Sequence, residues 1–170
     1  MSGAMAVASP ERASFRQAMR RMASTVSIIA AEHGGQRGGL AATSLTSVSA
    51  DPPTVLVCIN HSASAFALVR AAGQFSANML GCDQRAIGDG FGGQGPREER
   101  FARGQWVHDD TGTPYLLATQ ATLICRVVEE LPYATHTIFL AEVVRTLVSE
   151  HVDPLLYADG RYGSVQLEVA

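Results

Sequence analysis

What this chain has little of narrows its function before any motif does. Charged residues make up only 17% of the 170 residues, and the formal net charge is −3. The arginines are scattered and form no basic run. That argues against a nucleic-acid binder, whose surface carries a basic stripe. No apolar stretch reaches the roughly 18 residues that a membrane span needs. The opening MSGAMAVASP has neither the basic segment nor the long apolar core of a secretory signal. The expected location is therefore the cytoplasm, with no membrane association. Cysteine is scarce too: Cys58, Cys82 and Cys125 are far apart, odd in number and without a CxxC spacing. They read as reduced, mostly buried side chains rather than a disulfide framework or metal set. His33, His61, His108, His136 and His151 show no metal-ligand spacing, so no metal is expected. There is no GxSxG elbow, and no GxGxxG follows a strand. Reaction chemistry, if there is any, would come from a bound cofactor.

What is present reads as one domain. A chain of this size buries roughly 70% of its unfolded surface and needs no cross-link to hold a core. Residues 1–10 are expected to be a flexible tail and residues 11–170 the domain. Ser9-Pro10 is a helix start, with Glu11 at its positive end. Phe15, Met19 and Met22 at helical spacing predict one face packed on the body. Residues 25–31 are β-rich, Gly34-Gly35 is a hairpin signal, and residues 37–45 form the returning strand. After Pro52-Pro53, residues 54–59 read as a central buried strand. Ser62 or Ser64 could cap a second helix that ends at Gly73, and residues 74–80 are another strand. Residues 83–113, rich in glycine and with a charged knot at residues 97–100, predict a weak helix followed by a long mobile excursion. Two long strands, residues 118–129 and 135–149, are expected to meet in a hairpin at Leu131-Pro132, and a last strand pair surrounds Gly160. Six or seven mostly antiparallel strands with two or three short helices favour a closed or split β-barrel over a βαβ sheet.

Three features carry candidate chemistry. Thr43, Ser44, Thr46, Ser47 and Ser49 place five hydroxyls in seven uncharged positions, just after a glycine pair. Such donors beside a glycine-rich bend suit a phosphate or a polar heterocycle, although an exposed Ser/Thr-rich edge strand would look the same. Asn60 ends a buried strand and leads into a helix start, where unpaired N–H groups favour anions; a simple cap at Ser62 or Ser64 explains it equally well. His136 opens the apolar strand THTIFLAEV. It could meet a ligand at the sheet edge or be an ordinary strand histidine.

Taken in order, the segments FRQAMRRMASTVSII (15–29), GLAATSLTSVSADPPTVLVCIN (39–60), GQFSANML (73–80), REERF (97–101) and THTIFLAEV (135–143) resemble the short-chain flavin reductases that serve two-component flavin monooxygenases. The similarity is greatest to the reductase components of 4-hydroxyphenylacetate 3-monooxygenase and to pyrimidine-utilisation reductases. The resemblance implies a mainly β fold with short helices, an FMN-binding split β-barrel of antiparallel Greek-key type that works as a homodimer. It implies FMN or FAD as cofactor, NADH or NADPH as cosubstrate, hydride transfer to flavin N5, and delivery of reduced flavin to a partner monooxygenase. By motif match, Ala42, Thr43, Ser44 and Ser47 would line the flavin's ribityl and phosphate, and Cys58, Ile59, Asn60 and Ser64 belong to a second contacting stretch. Asn78 and Leu80 match a strand whose backbone runs near the isoalloxazine. His136 matches a histidine near the nicotinamide, and Arg161 and Tyr162 match an aromatic-basic pair. Ala134-Thr135 before His136, and YADGRYGSV near the C-terminus, depart from the family pattern. An uncharged site implies a flavin held in the micromolar range, about −8 kcal/mol, and so free to leave. A non-catalytic flavin carrier is the alternative; a barrel serving only for oligomerisation would bind no flavin.

Overall fold

The computed structural model describes residues 10–168. The cap expected at Ser9 and all of the expected tail except Pro10 lie outside the described residues. Helix α1 (Pro10–Met19) starts at that proline, whose missing N–H costs nothing in a first turn. Strands β1 (Ser24–Thr25) and β2 (Ser27–His33) follow, and the Gly34-Gly35 turn leads into β3 (Gln36–Ala42). Both turn glycines have positive φ, +59° and +76°, which only glycine adopts without strain. Strand β4 (Thr46–Ala50) turns into β5 (Pro53–Asn60), and helix α2 (Phe66–Ala72) ends at Gly73 with φ +66°. Next come β6 (Gln74–Met79), a short 3-10 turn (Cys82–Gln84), helix α3 (Arg85–Phe91), a second 3-10 turn (Arg97–Ala102), β7 (Trp106–His108) and β8 (Pro114–Leu116). The long strands β9 (Ala121–Tyr133) and β10 (His136–Val148) precede the pair β11 (Leu156–Ala158) and β12 (Arg161–Gly163).

The main sheet is antiparallel in the order β3-β2-β6-β9-β10-β5-β4. Its edges, β3 and β4, are joined only by residues 43–45, so the two edges come together and the sheet curls into a barrel. Strands β1, β11 and β12 form a separate sheet, and β7 pairs with β8. Alternation along the strands sorts apolar side chains into two cores. On β2, Ile29 and Ala31 point into the barrel with Val55, Val57, Ile59, Phe75 and Phe139. Ile28 faces the other way, toward Leu80, Ile87, Phe91, Leu116 and Leu155. The glycine pair before the hydroxyl run lies within β3 rather than in a bend. A Cβ on Gly38 would meet Leu68 Cδ1 at 2.5 Å, and one on Gly39 would meet Phe91 Cε1 at 2.6 Å, so the pair lets α2 and α3 close onto the strand.

Several expectations need correction. In residues 83–113 the expected helix is α3, but the segment after it is no long excursion: beyond the exposed turn at 92–96 it returns to the body, where Phe91, Phe101 and Trp106 pack ring to ring with centroids 4.7–5.5 Å apart. The β9–β10 turn falls at Ala134-Thr135, with Ala134 at φ +48°, and not at Leu131-Pro132. Pro132 sits inside β9, beyond the part paired with β6, so one side of the strand is open there and no ladder donor is missed. Neither Ser62 nor Ser64 caps α2; the cap position is Ala65, without a side-chain bond. Helix α1 buries none of its residues, leaving Phe15 64% and Met19 45% exposed, and Met22 just after it is 57% exposed.

Candidate functional site

The hydroxyl run is not one strand. It leaves β3 after Ala42, bends through residues 43–45, and enters β4, which has a register shift between Ser47 and Ser49. Each hydroxyl therefore has its own fate. Ser44 Oγ donates to the Cys58 carbonyl at 3.1 Å and accepts the Cys58 N–H at 3.2 Å, which pins the bend to β5. Ser49 Oγ donates to the Asp51 carbonyl at 2.9 Å. Ser47 is exposed on edge strand β4. Thr43 opens into a cleft of about 600 Å³ between the barrel edge, α3 and the β11–β12 hairpin.

That cleft brings together four of the residues the sequence singles out: Ala42 and Thr43 from one wall, Arg161 and Tyr162 from the other. Arg85 and Asp89 also line it, and the i, i+4 spacing on α3 puts both on one face of that helix. Burial, helped by the negative charge of Asp89, pushes the Tyr162 phenol up to about 12, so at neutral pH it is a neutral phenol beside Asp89. The Arg85 guanidinium lies 5.1 Å from the Tyr162 ring centroid, and Tyr157 meets that ring edge-on at 5.4 Å. The cleft therefore carries charge, unlike the uncharged site expected from the hydroxyl run. Arg85 and Asp89, which line it, lie in a glycine-rich segment that reads as irregular in sequence, where their four-residue spacing is the available signal.

A second cluster sits at the end of the β5–β10 ladder, where Asn60 is opposite His136. Asn60 Oδ1 accepts from the Ser62 N–H at 2.9 Å and the Ser62 hydroxyl at 2.8 Å. Its amide nitrogen is 3.5 Å from His136 Nε2. Thr135 Oγ1 is 2.9 Å from His136 Nδ1, and His61 Nε2 is 3.0 Å from Thr137 Oγ1. His136 is exposed and does not line the 600 Å³ cleft; nor do Ser47, Cys58 or Asn60. Ser64 lies on a different pocket, beside Gly39.

Three residues matched to the cofactor stretches are inside the protein. Asn78 is fully buried: its amide donates to the Ile28 carbonyl and the Ser76 hydroxyl, both at 2.8 Å, and its oxygen accepts the Leu116 N–H at 2.8 Å. Leu80 and Ile59 are fully buried among apolar side chains. No side chain of these three is free to touch a ligand, so any contact from those stretches runs through backbone. The thiols form no disulfide. Among the described residues no group of His, Cys, Asp and Glu is arranged to hold a metal, and no helix is long and apolar enough to cross a membrane.

A cleft of this volume is the usual size of a small-molecule site. Its aromatic faces, guanidinium groups and small-residue wall suit a planar heterocycle with a polar, anionic arm. The fold and cleft thus define an antiparallel split barrel with a cofactor-sized groove along its edge. The chain belongs to the flavin reductase like domain family, whose model matches residues 19–166. It is 43% identical over 150 residues to the reductase component of the FADH(2)-dependent resorcinol hydroxylase of a Rhizobium species, covering 87% of this chain and 84% of that one. It is 37% identical over 164 residues to the FMN reductase (NADH) RutF of Ancylobacter novellus, covering 96% and 91%. Among solved structures, the NADH:FAD oxidoreductase SgcE6 of Streptomyces globisporus superposes with a TM-score of 0.85 at 25% identity, covering 98% and 100%.

Proposed function

We propose that this chain is an NADH-dependent flavin reductase that supplies reduced FMN or FAD to a separate flavin-dependent monooxygenase. The observation that carries this reading is the convergence of Ala42, Thr43, Arg161 and Tyr162, from opposite ends of the chain, on one cleft. Relatives named as FMN reductase and as the reductase of a hydroxylase support it over most of the chain's length.

A flavin held in the cleft would supply the redox chemistry, with a nicotinamide as the hydride source. The protein's part is to bind, orient and exclude water, and positioning alone supplies several kcal/mol of a barrier. Thr43 offers a hydroxyl and Ala42 its backbone to the polar edge of the cofactor. Tyr157 and Tyr162 offer ring faces, and Arg85 and Arg161 offer positive charge where negative charge develops. No side chain need take or give a proton at the reacting centre. His136 and Asn60 would hold the nicotinamide carboxamide by hydrogen bonds. Because His136 lies off the cleft of its own chain, this role needs a second subunit. The homodimer is supported by the apolar side chains left exposed, Phe15 and Met22 on and after α1 and Val144 and Val148 on β10. Free thiols and the lack of a disulfide fit a cytoplasmic setting.

Purified protein mixed with FMN or FAD and NADH, followed at the nicotinamide absorbance, tests the reading. Flavin-dependent oxidation of NADH is expected. Flavin binding without oxidation would favour a non-catalytic carrier, to which the position of His136 lends weight if the protein is a monomer. No binding and no oxidation would refute both.

A further inference from the structure

The far wall of the cleft is not part of the barrel. Strands β11 and β12 form a hairpin whose only other ladder among the described residues is with β1, two residue pairs long. None of residues 156–163 is buried. The hairpin is rooted at Leu155, which is 2% exposed, accepts the Val26 N–H at 2.9 Å and donates to the Leu80 carbonyl at 2.9 Å. Its tip, Asp159-Gly160, has φ of +50° and +77°, as in the tight two-residue turns that keep a hairpin one rigid unit. Cavities lie on both sides of it. The 600 Å³ cleft is on one side, and a second cavity of about 700 Å³, walled by Phe15 and Met19 of α1, is on the other; Thr43, Tyr157 and Gly160 line both. A short exposed element with few apolar contacts is the kind of unit that opens locally, and the open space on either side lets this one move as a body.

Two contacts hold the hairpin in place. Tyr162 leans on α3, where a Cβ at Gly88 would stand 3.0 Å from its hydroxyl and the Arg85 guanidinium lies over its ring. The tip is held by Arg20, just past the end of α1. The Arg20 carbonyl accepts the Asp159 N–H at 2.8 Å, Nη2 donates to the Asp159 carbonyl at 3.2 Å, and Nε is 3.5 Å from Asp159 Oδ1. A Cβ on Gly160 would run into the guanidinium, so the turn closes on Arg20 only because glycine stands there. Tyr157 and Tyr162 are paired across the hairpin and both line the cleft, so its aromatic wall moves with the tip. We propose that the β11–β12 hairpin is the gate of the cleft and that Arg20 is the positioning residue that holds it shut, setting how fast flavin enters and leaves. The proposal rests on the flavin reading above. It gives α1, which buries none of its own residues, a task at the site. Flavin that serves a separate oxygenase has to leave, and opening of a closing element is a common limit on release.

The test is stopped-flow fluorescence with oxidised FMN and no nicotinamide, reading the association rate on mixing and the dissociation rate on dilution, beside a urea melt of each protein. The variants are Arg20→Met, Arg20→Lys and Asp159→Asn. Met keeps the helix propensity, Lys keeps the charge, and Asn tolerates the positive φ while removing the carboxylate. The two side chains are 59% and 52% exposed, so no variant disturbs the core. Arg20→Met is expected to raise both rates in parallel by about threefold to fivefold, the scale of an exposed charged pair, with Kd within about twofold of wild type and the urea midpoint unchanged. Asp159→Asn should do the same to a smaller extent, and Arg20→Lys should stay near wild type. A gate that opens more often speeds entry and exit alike, whereas a lost ligand contact speeds exit alone. Rates unchanged in both Arg20→Met and Asp159→Asn, a rise in the dissociation rate alone, or a lowered urea midpoint accompanying the faster release would overturn the gate and leave the flavin reading standing. Wild-type protein that binds no FMN would overturn the flavin reading and the gate with it.

Discussion

Thr43 and Asn78 are both short polar residues in stretches matched to the cofactor, yet the fold uses them in opposite ways. Asn78 spends its hydrogen-bonding capacity inside the protein, tying β6 to β2 and to β8. Thr43 is exposed at the mouth of the cleft, with its hydroxyl open to a ligand. Ser44 stands between them, beside the cleft in sequence but bonded to Cys58. The difference teaches that residue type and motif position do not separate a binding group from a structural one. Unused hydrogen-bonding capacity facing a cavity does.

The largest expected effect breaks the buried side of that comparison. Asn78→Ala leaves the Ile28 carbonyl and the Leu116 N–H unpaired in the interior, and should cost about 3 kcal/mol or more in a urea melt. Removing the intermediate case should cost less: Ser44→Ala, which strands only the Cys58 backbone groups, is expected to lose about 1–1.5 kcal/mol in the same assay. The interior can also be probed by pH. Burial pushes the Cys125 thiol from 9.0 up to about 12. The folded protein then holds a proton that the unfolded chain releases above pH 9, so this contribution is present below pH 9 and is lost as pH rises toward 12. The stability gap between wild type and Cys125→Ala should narrow by about 1.4 kcal/mol per pH unit above 9; a gap that stays constant would contradict the burial. On the open side, Thr43→Val keeps the shape and removes the hydroxyl. It should weaken FMN about fivefold to tenfold and leave stability within about 0.5 kcal/mol. The smallest effect belongs to His136→Ala, expected to raise the KM for NADH several-fold while changing flavin affinity less. The reverse would remove His136 from the nicotinamide site.

Much of the barrel was legible because its signals are local and physical. Gly34-Gly35 and Gly73 need positive φ, and both sit where the sequence places a turn and a helix end. The apolar alternation of residues 54–59 becomes β5, with Val55, Val57 and Ile59 in the core, although it lies next to an edge strand rather than at the centre. The β9–β10 turn was not legible, because Ala134-Thr135 carries no glycine or asparagine and Pro132 imitates a breaker. Helix α1 has an apolar stripe, but nothing in its sequence tells packing on its own body from packing on another surface. At the site, Ala42, Thr43, Arg161 and Tyr162 were named and do meet. Arg85 and Asp89, four residues apart on α3, acquire meaning only when that helix folds back beside β3, a long-range contact that their spacing alone does not show.

The central claim, that open and committed polar groups divide binding from stability, is tested most directly by one paired measurement. FMN titration and urea melts on Thr43→Val and Asn78→Ala should cross. The first variant should lose affinity at unchanged stability, and the second should lose stability while its folded fraction binds FMN like wild type. Variants that lose affinity and stability together, or a Thr43→Val protein that binds FMN as tightly as wild type, would contradict it.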